Sequence, residues 1–314
     1  MVKENSIRAY IPKKNRIKTG SLTADIVIYG IILISALITV YPFVYILSNA
    51  ISEPIEAAAG TVWLLPKGFS LQSFSRVFAS GLIVRSFANS VFFTATVTIL
   101  SGINTMLAGY ALSKKGLVFR KFFIVYIIVP MFFSGGLIPY FLIITQLKLY
   151  NTLWAIILPG ICSIWNIILA RTFIRGIPDS LTEAAIIDGA NEIQTLFLVI
   201  IPLCKPIIAV TSLYVALGMW NSWFNFMLFI PRLADWHPLQ LFLAKTLIWG
   251  DIASTLQIGE TVDPEIIKNK LLLTSVAAQT KYTVIVIASV PIIAVYPFIQ
   301  KYFVQGALIG SLKE

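Results

Sequence analysis

Charge is what this chain is short of. Only 12% of its 314 residues are Asp, Glu, Lys or Arg, against 58% apolar, and mean hydropathy is +0.86. Soluble domains carry about 25% charge, so the balance excludes one and specifies an integral membrane protein. Histidine occurs once, at His237, and cysteine twice, at Cys162 and Cys204, with no CxxC spacing. A thiolate and imidazole metal site and a disulfide framework are therefore both excluded. There is no GxxxxGK[ST] phosphate loop, so this chain does not bind ATP by that route.

Long apolar runs are plentiful. With ~1.5 Å of rise per residue and ~30 Å of hydrocarbon to cross, six uncharged stretches are predicted to span: 26–52, 86–113, 122–147, 149–170, 206–231 and 282–300. Barrel strands would instead be ~10 residues of alternating polarity. The expected fold is all-α, a polytopic bundle of six transmembrane helices (26–314) behind a basic arm (1–25). The first stretch is about twice a signal-peptide core and no small-residue cleavage site follows it, so it is expected to stay in the mature chain.

No Asp, Glu, Lys, Arg or His falls inside these stretches. Proton-coupled carriers and intramembrane enzymes place such groups there. A secondary carrier and a membrane enzyme are both disfavoured, and a transport protein built this way draws its energy from a partner.

Orientation follows from basic residues near the spans. Lys3, Arg8, Lys13, Lys14, Arg16 and Lys18 crowd the arm, and Lys114, Lys115, Arg120 and Lys121 follow the second stretch. Both regions are expected in the cytoplasm, as is the C-terminus. Parity then places the loop 171–205 inside and the segment 232–281 outside. The net charge of +10 lies mostly beside the spans, where orientation accounts for it, so no nucleic-acid partner is expected.

The loop 171–205 is the informative stretch. Pro178 suits a helix start, and Asp179 and Glu183 favour the positive end of its dipole. Leu181, Ala184, Ala185 and Asp188 share one face with a shallow profile. Gly189 can supply the left-handed stop, and Asn191 with Gln194 forms a capping-box pattern that opens a second helix, LFLVII, which Pro202 is expected to end. Residue chemistry alone leaves this equally an amphipathic connector.

Glu183, Ala184, Ala185, Gly189, Val199, Ile201 and Pro202 resemble the EAA loop of ATP-binding-cassette importer permeases. Asp188 and Ala190, with Leu203 and Pro206, make it similar to carbohydrate permeases of the maltose-transporter type. MFFSGGLIP, NTLWAIILPG, WNSWF, PLQLFL and YPFIQKYFVQGALIGSLKE, in that order along the chain, resemble the subgroup for complex oligosaccharides such as aldouronates and pectin fragments.

The resemblance implies a bacterial cytoplasmic-membrane permease with both termini inside. Its partners would be a second homologous permease, an ABC ATPase dimer and an extracytoplasmic sugar-binding lipoprotein. ATP and Mg would act in the ATPase, with no cofactor in this chain. Glu183, Ala184, Ala185, Asp188, Gly189 and Pro202 would form the coupling loop that docks on the ATPase, with the tail 306–314 nearby. An importer permease for another solute stays an alternative, as does a secondary sugar carrier.

For the translocation path, Trp220, Asn221, Trp223, Phe224 and Asn225 mix aromatic rings, which stack on sugar CH faces, with amides, which bond hydroxyls. The resemblance also places substrate contacts on this span. Tyr140, beside Ser134, Gly135, Gly136 and Pro139, is a further candidate. Helix-to-helix packing is the competing account of all these residues.

Overall fold

The computed structural model describes residues 22–79, 81–133, 135–248, 274–295 and 297. The arm as far as residue 21, Ser134, residues 249–273 of the 232–281 segment, and the tail 306–314 lie outside the described residues. Helices dominate: α1 Leu22–Ala50, α2 Leu82–Ser113, α3 Arg120–Phe132, α4 Leu137–Gln146, α5 Trp154–Ile174, α6 Asp179–Ile187, α7 Glu192–Leu203, α8 Lys205–Trp220, α9 Phe224–Phe229, α10 Leu239–Ile248 and α11 Thr274–Val295. Among the described residues no sheet forms, and Ser52 and Phe69 make an isolated bridge.

Four of these helices, α1, α2, α5 and α11, are long and apolar enough to cross a membrane; α7 and α8, bent by 82° where they meet, make a fifth if taken as one span. The third expected span is not one helix. It divides into α3 and α4 around Phe133 and Gly136, where Phe133 is extended and Gly136 has φ +81. A positive φ suits glycine, which has no Cβ to clash.

The helix α2 is the spine. Phe93, Val97, Ser101, Thr105 and Gly109 recur every four residues along a buried ridge, the i+4 row that runs inclined to the helix axis and packs into the groove of a neighbour. Against it pack α5 and α8. At Gly109 an added Cβ would lie 3.0 Å from the Ala170 Cβ and 3.2 Å from the Arg171 amide, so the absence of a side chain sets how closely α2 and α5 approach. In lipid, apolar burial between helices gains little, because acyl chains are equally apolar; close packing and hydrogen bonds decide association.

Three breaks shape the bundle. α5 opens at Cys162 and Ser163, both extended, and restarts where the Ser163 hydroxyl accepts the Asn166 amide at 3.4 Å. Asn221–Trp223 separate α8 from α9. In α7, Thr195–Ile200 forms a π-turn and the helix runs past Pro202 to Leu203, so the expected stop at Pro202 is corrected. In a regular turn the Pro202 ring would press on the Leu198 carbonyl. The wider turn relieves that conflict, and the bend falls after it, at Cys204.

The two ends of α2, ~48 Å apart at ~1.5 Å per residue, carry different attachments. At its N-terminal end Arg85 pairs with Asp235 at 2.7 Å, and the Asn89 amide donates to the Asp235 and His237 carbonyls at 2.8 and 3.1 Å. The C-terminal end meets the loop that follows α5.

Candidate functional site

The loop after α5 is built almost entirely by local rules. Pro178 sits one residue ahead of α6 as its N-cap, with ψ 132, rather than inside the first turn. Asp179 opens the helix. At the far end Gly189 has φ +87, the Ala190 amide reaches back to the Ala185 carbonyl at 2.9 Å, and the Asp188 amide to Ala184 at 2.9 Å. These bonds close the helix by a left-handed glycine stop. Two residues later the Asn191 side chain accepts the Gln194 amide at 2.8 Å while the Gln194 side chain accepts the Asn191 amide at 2.9 Å. This reciprocal box starts α7.

α6 buries no residue of its own. Glu183, Ala184, Asp188 and Gly189 are exposed, Ala185 is half-buried, and Ile187 stands 84% exposed. A nine-residue helix is too short to be stable on its own in water, so something other than self-packing must hold it. α7 does part of this. Its Leu196 and Ile200, with Cys204 beyond it, pack with Met106 and Tyr110 of α2 and Ala170 and Ile174 of α5.

Two ion pairs also tie this loop to the end of α2. Lys115 pairs with Asp179, the first residue of α6, and Lys114 at 2.7 Å with Glu192, the first residue of α7; the Tyr110 hydroxyl donates to the same Glu192 oxygen at 2.6 Å. The Lys114 hydrogen bond, then that of Tyr110, holds the Glu192 carboxyl below its ordinary pKa, and Lys115 does the same for Asp179. Arg171 and Arg120 both donate to the Leu112 carbonyl, at 3.2 and 3.3 Å, placing cations at the negative end of the α2 dipole. A polar cleft of about 600 Å³ lies between the α2 terminus and α6, with Glu183 and Thr182 on its wall. The pairing of Lys114, Lys115, Tyr110 and Glu192 is not apparent from residue order. The signal was a basic pair directly after one span and acids flanking the alanine-rich turn of another loop.

The expected path residues separate. Trp220 is 6% exposed, donates its indole N–H to the Ala288 carbonyl at 3.2 Å, and meets Phe87 edge-on at 5.8 Å. That is a packing position between α2, α8 and α11. Asn221, Phe224 and Asn225 are exposed; Trp223 is half-buried against Phe224 at 5.8 Å. Asn221 donates to the Leu217 carbonyl at 3.0 Å, its own helix. Tyr140 is half-buried and packs edge-on to Phe229 at 5.2 Å, near but not among the α8–α9 break residues.

Residues 102–308 match the family model described as binding-protein-dependent transport system inner membrane component. The chain belongs to that family. The permease is 36% identical over 295 residues to the polygalacturonan/rhamnogalacturonan transport system permease protein YtcP of Bacillus subtilis strain 168, covering 92% of this chain and 98% of that one. To protein LplC of the same organism it is 37% identical over 276 residues, covering 88% and 90%. It also superposes on one chain of a crystal structure of a bacterial ABC transporter involved in the import of the acidic polysaccharide alginate, with TM-score 0.80 and 35% identity over 90% of this chain and 96% of that one. It is a membrane-embedded permease subunit of an importer, not a catalytic enzyme. The loop carrying α6 and α7 falls inside the matched region.

Proposed function

We propose that this chain is one of two permease subunits of an ATP-driven oligosaccharide importer and that α6 is the lever through which an ATPase works it. The observation that carries the reading is α6 itself: an exposed helix with a shallow alanine face, closed by a positive-φ glycine, paired at its first residue with Lys115 beside the α2 terminus and followed by α7, whose first residue pairs with Lys114. A helix held this way passes a push on to the spine, because its start and the helix behind it are both tied there while its outer face stays free for a groove.

On this reading α3 and α4 together complete the six spans, with both termini and α6 in the cytoplasm, as the basic arm and Lys114, Lys115, Arg120 and Lys121 favour. Glu183 meets a donor on the ATPase, Ala184 and Ala185 allow close approach, Asp188 and Gly189 shape the stop, and Pro202 sets the π-turned strut behind it. ATP and Mg²⁺ act in the ATPase dimer, and an extracytoplasmic binding lipoprotein delivers the sugar. The relatives named for polygalacturonan and rhamnogalacturonan transport and the likeness to an alginate importer support an oligosaccharide cargo. Asn221, Trp223, Phe224, Asn225 and Tyr140 remain the path candidates, with amides and rings at the α8–α9 break.

The test is Gly189→Pro. Proline cannot adopt φ +87, so α6 loses its stop while the spans are untouched. The variant is expected to insert and to copurify with the second permease but to lose the ATPase. Normal ATPase recovery refutes the lever.

A further inference from the structure

Residues 63–69 form a loop just beyond the end of α1, and every one of them is exposed. Trp63, Leu64, Leu65 and Phe69 are 56–79% exposed, and Lys67 is the one charged residue in the stretch. An apolar patch of this kind marks a surface that something else covers.

Backbone bonds hold the loop to the last turn of α1 and leave these side chains free. The Ser48 hydroxyl donates to the Leu64 carbonyl at 2.7 Å, and the Asn49 side-chain amide to the Val62 carbonyl at 3.4 Å. On the returning limb the Lys67 amide donates to the Ser52 hydroxyl at 3.1 Å, and the Glu53 amide to the Lys67 carbonyl at 3.0 Å. Gly68, at φ +61, makes the turn.

Counting along α1 gives the depth of this loop. Asp25 lies in the first turn of the helix, and no charged residue follows it there. With ~30 Å of hydrocarbon and ~1.5 Å of rise per residue, a span that starts at Ile26 leaves the hydrocarbon near Ile46. Ser48 and Asn49 then lie ~3–5 Å beyond, inside a headgroup layer roughly 5–7 Å thick, and the loop bonded to them sits at the same level. None of the apolar window of α1 is buried by the rest of the described chain, so the surface that α1 turns to its surroundings runs on into the loop.

We propose that residues 63–69 are an interfacial anchor, seated in the lipid headgroup layer of the leaflet where α1 ends. Trp63 takes the belt position that an indole favours, and Leu64 and Phe69 meet the outermost acyl carbons. Lys67, with Glu56 4.0 Å away, extends its cation to lipid phosphate. A protein that docks and leaves presents a face no more apolar than ordinary surface, which favours lipid as the occupant. The anchor acts beyond α1, because the Gln279 side chain of α11 donates to the Asn49 and Ser52 carbonyls at 2.8 and 2.7 Å. The end of α1, the loop and α11 are thereby held at one depth. The inference requires that α1 crosses the bilayer and is independent of the cargo.

The complete assembly is freed of cysteine, in this chain by Cys162→Ser and Cys204→Ser, and placed in nanodiscs made with nitroxide-bearing lipids. An NBD fluorophore is attached at Leu64→Cys or Phe69→Cys, whose side chains are exposed and leave the packed bundle untouched. At both sites a nitroxide near the top of the acyl chain is expected to quench at least about two-fold more than one near its end. Stronger quenching from the chain end overturns the headgroup-level placement. Quenching by aqueous iodide and by neither lipid puts the loop in water and overturns the anchor. Protection from all of these quenchers means that another subunit covers the patch, which overturns it equally. Should one variant fail to assemble, the other reads the same ratio.

Discussion

At Trp220 the indole is enclosed by α2 and α11 and its N–H is satisfied by the Ala288 carbonyl. Removing it opens a cavity, while that carbonyl keeps its place in the α11 helix. In water-soluble cores Trp→Ala costs ~3–5 kcal/mol, the transfer and cavity terms adding; with lipid outside, the transfer part shrinks and the cavity part remains. Trp220→Ala is therefore expected to lower the melting temperature in detergent and the yield of assembled transporter, while uptake per assembled complex keeps its KM. A raised KM at unchanged thermal stability would place Trp220 on the path. Gly189 and the Asn191 and Gln194 box, by contrast, were legible from residue order, because their partners lie within five residues. The burial of Trp220 depends on α11, nearly seventy residues away, which no local pattern encodes.

Between elements, the contact of α2 with α5 depends on Gly109. An ideal Cβ there already sits 3.0 Å from Ala170 and 3.2 Å from the backbone of Arg171, and backbone cannot step aside as a flexible side chain can. Gly109→Val is expected to force the two helices apart at a cost of roughly 1–3 kcal/mol, seen as a lower melting temperature; the same change at the open Gly218 should leave it near wild type. Equal melting of the two variants would contradict the close approach. Helix existence was legible at this scale from the apolar runs, but the breaks were less so. The expected third span carries Gly135 and Gly136, a readable sign of interruption, whereas the π-turn at Thr195–Ile200 arises from a clash of Pro202 with its own upstream turn and was read as a simple stop.

For the whole molecule, the loop carrying α6 and the segment that follows Pro231 attach to opposite ends of one 32-residue helix. That separation exceeds the hydrocarbon thickness of ~30 Å, so the two attachments belong on opposite sides of the membrane. In a chain with Cys162→Ser and Cys204→Ser, a cysteine introduced at Asp188 is expected to react with an impermeant maleimide only from the cytoplasmic side, and one at Leu65, which is 79% exposed, only from the outside. Labelling of both from one face would overturn the topology.

Composition and local order by themselves determined the membrane setting, the helical class, the capped turn around Gly189 and the family likeness that this turn carries. Each rests on interactions a few residues long or on the solvent the whole surface must meet. The tertiary structure alone decided that Trp220 is buried against α2 and α11 and that Lys114 and Lys115, at the end of α2, reach Glu192 and Asp179. Those are facts about which faces meet across long stretches of chain. In lipid, where every face is apolar and hydrophobicity no longer distinguishes inside from outside, the sequence pattern has little with which to specify them.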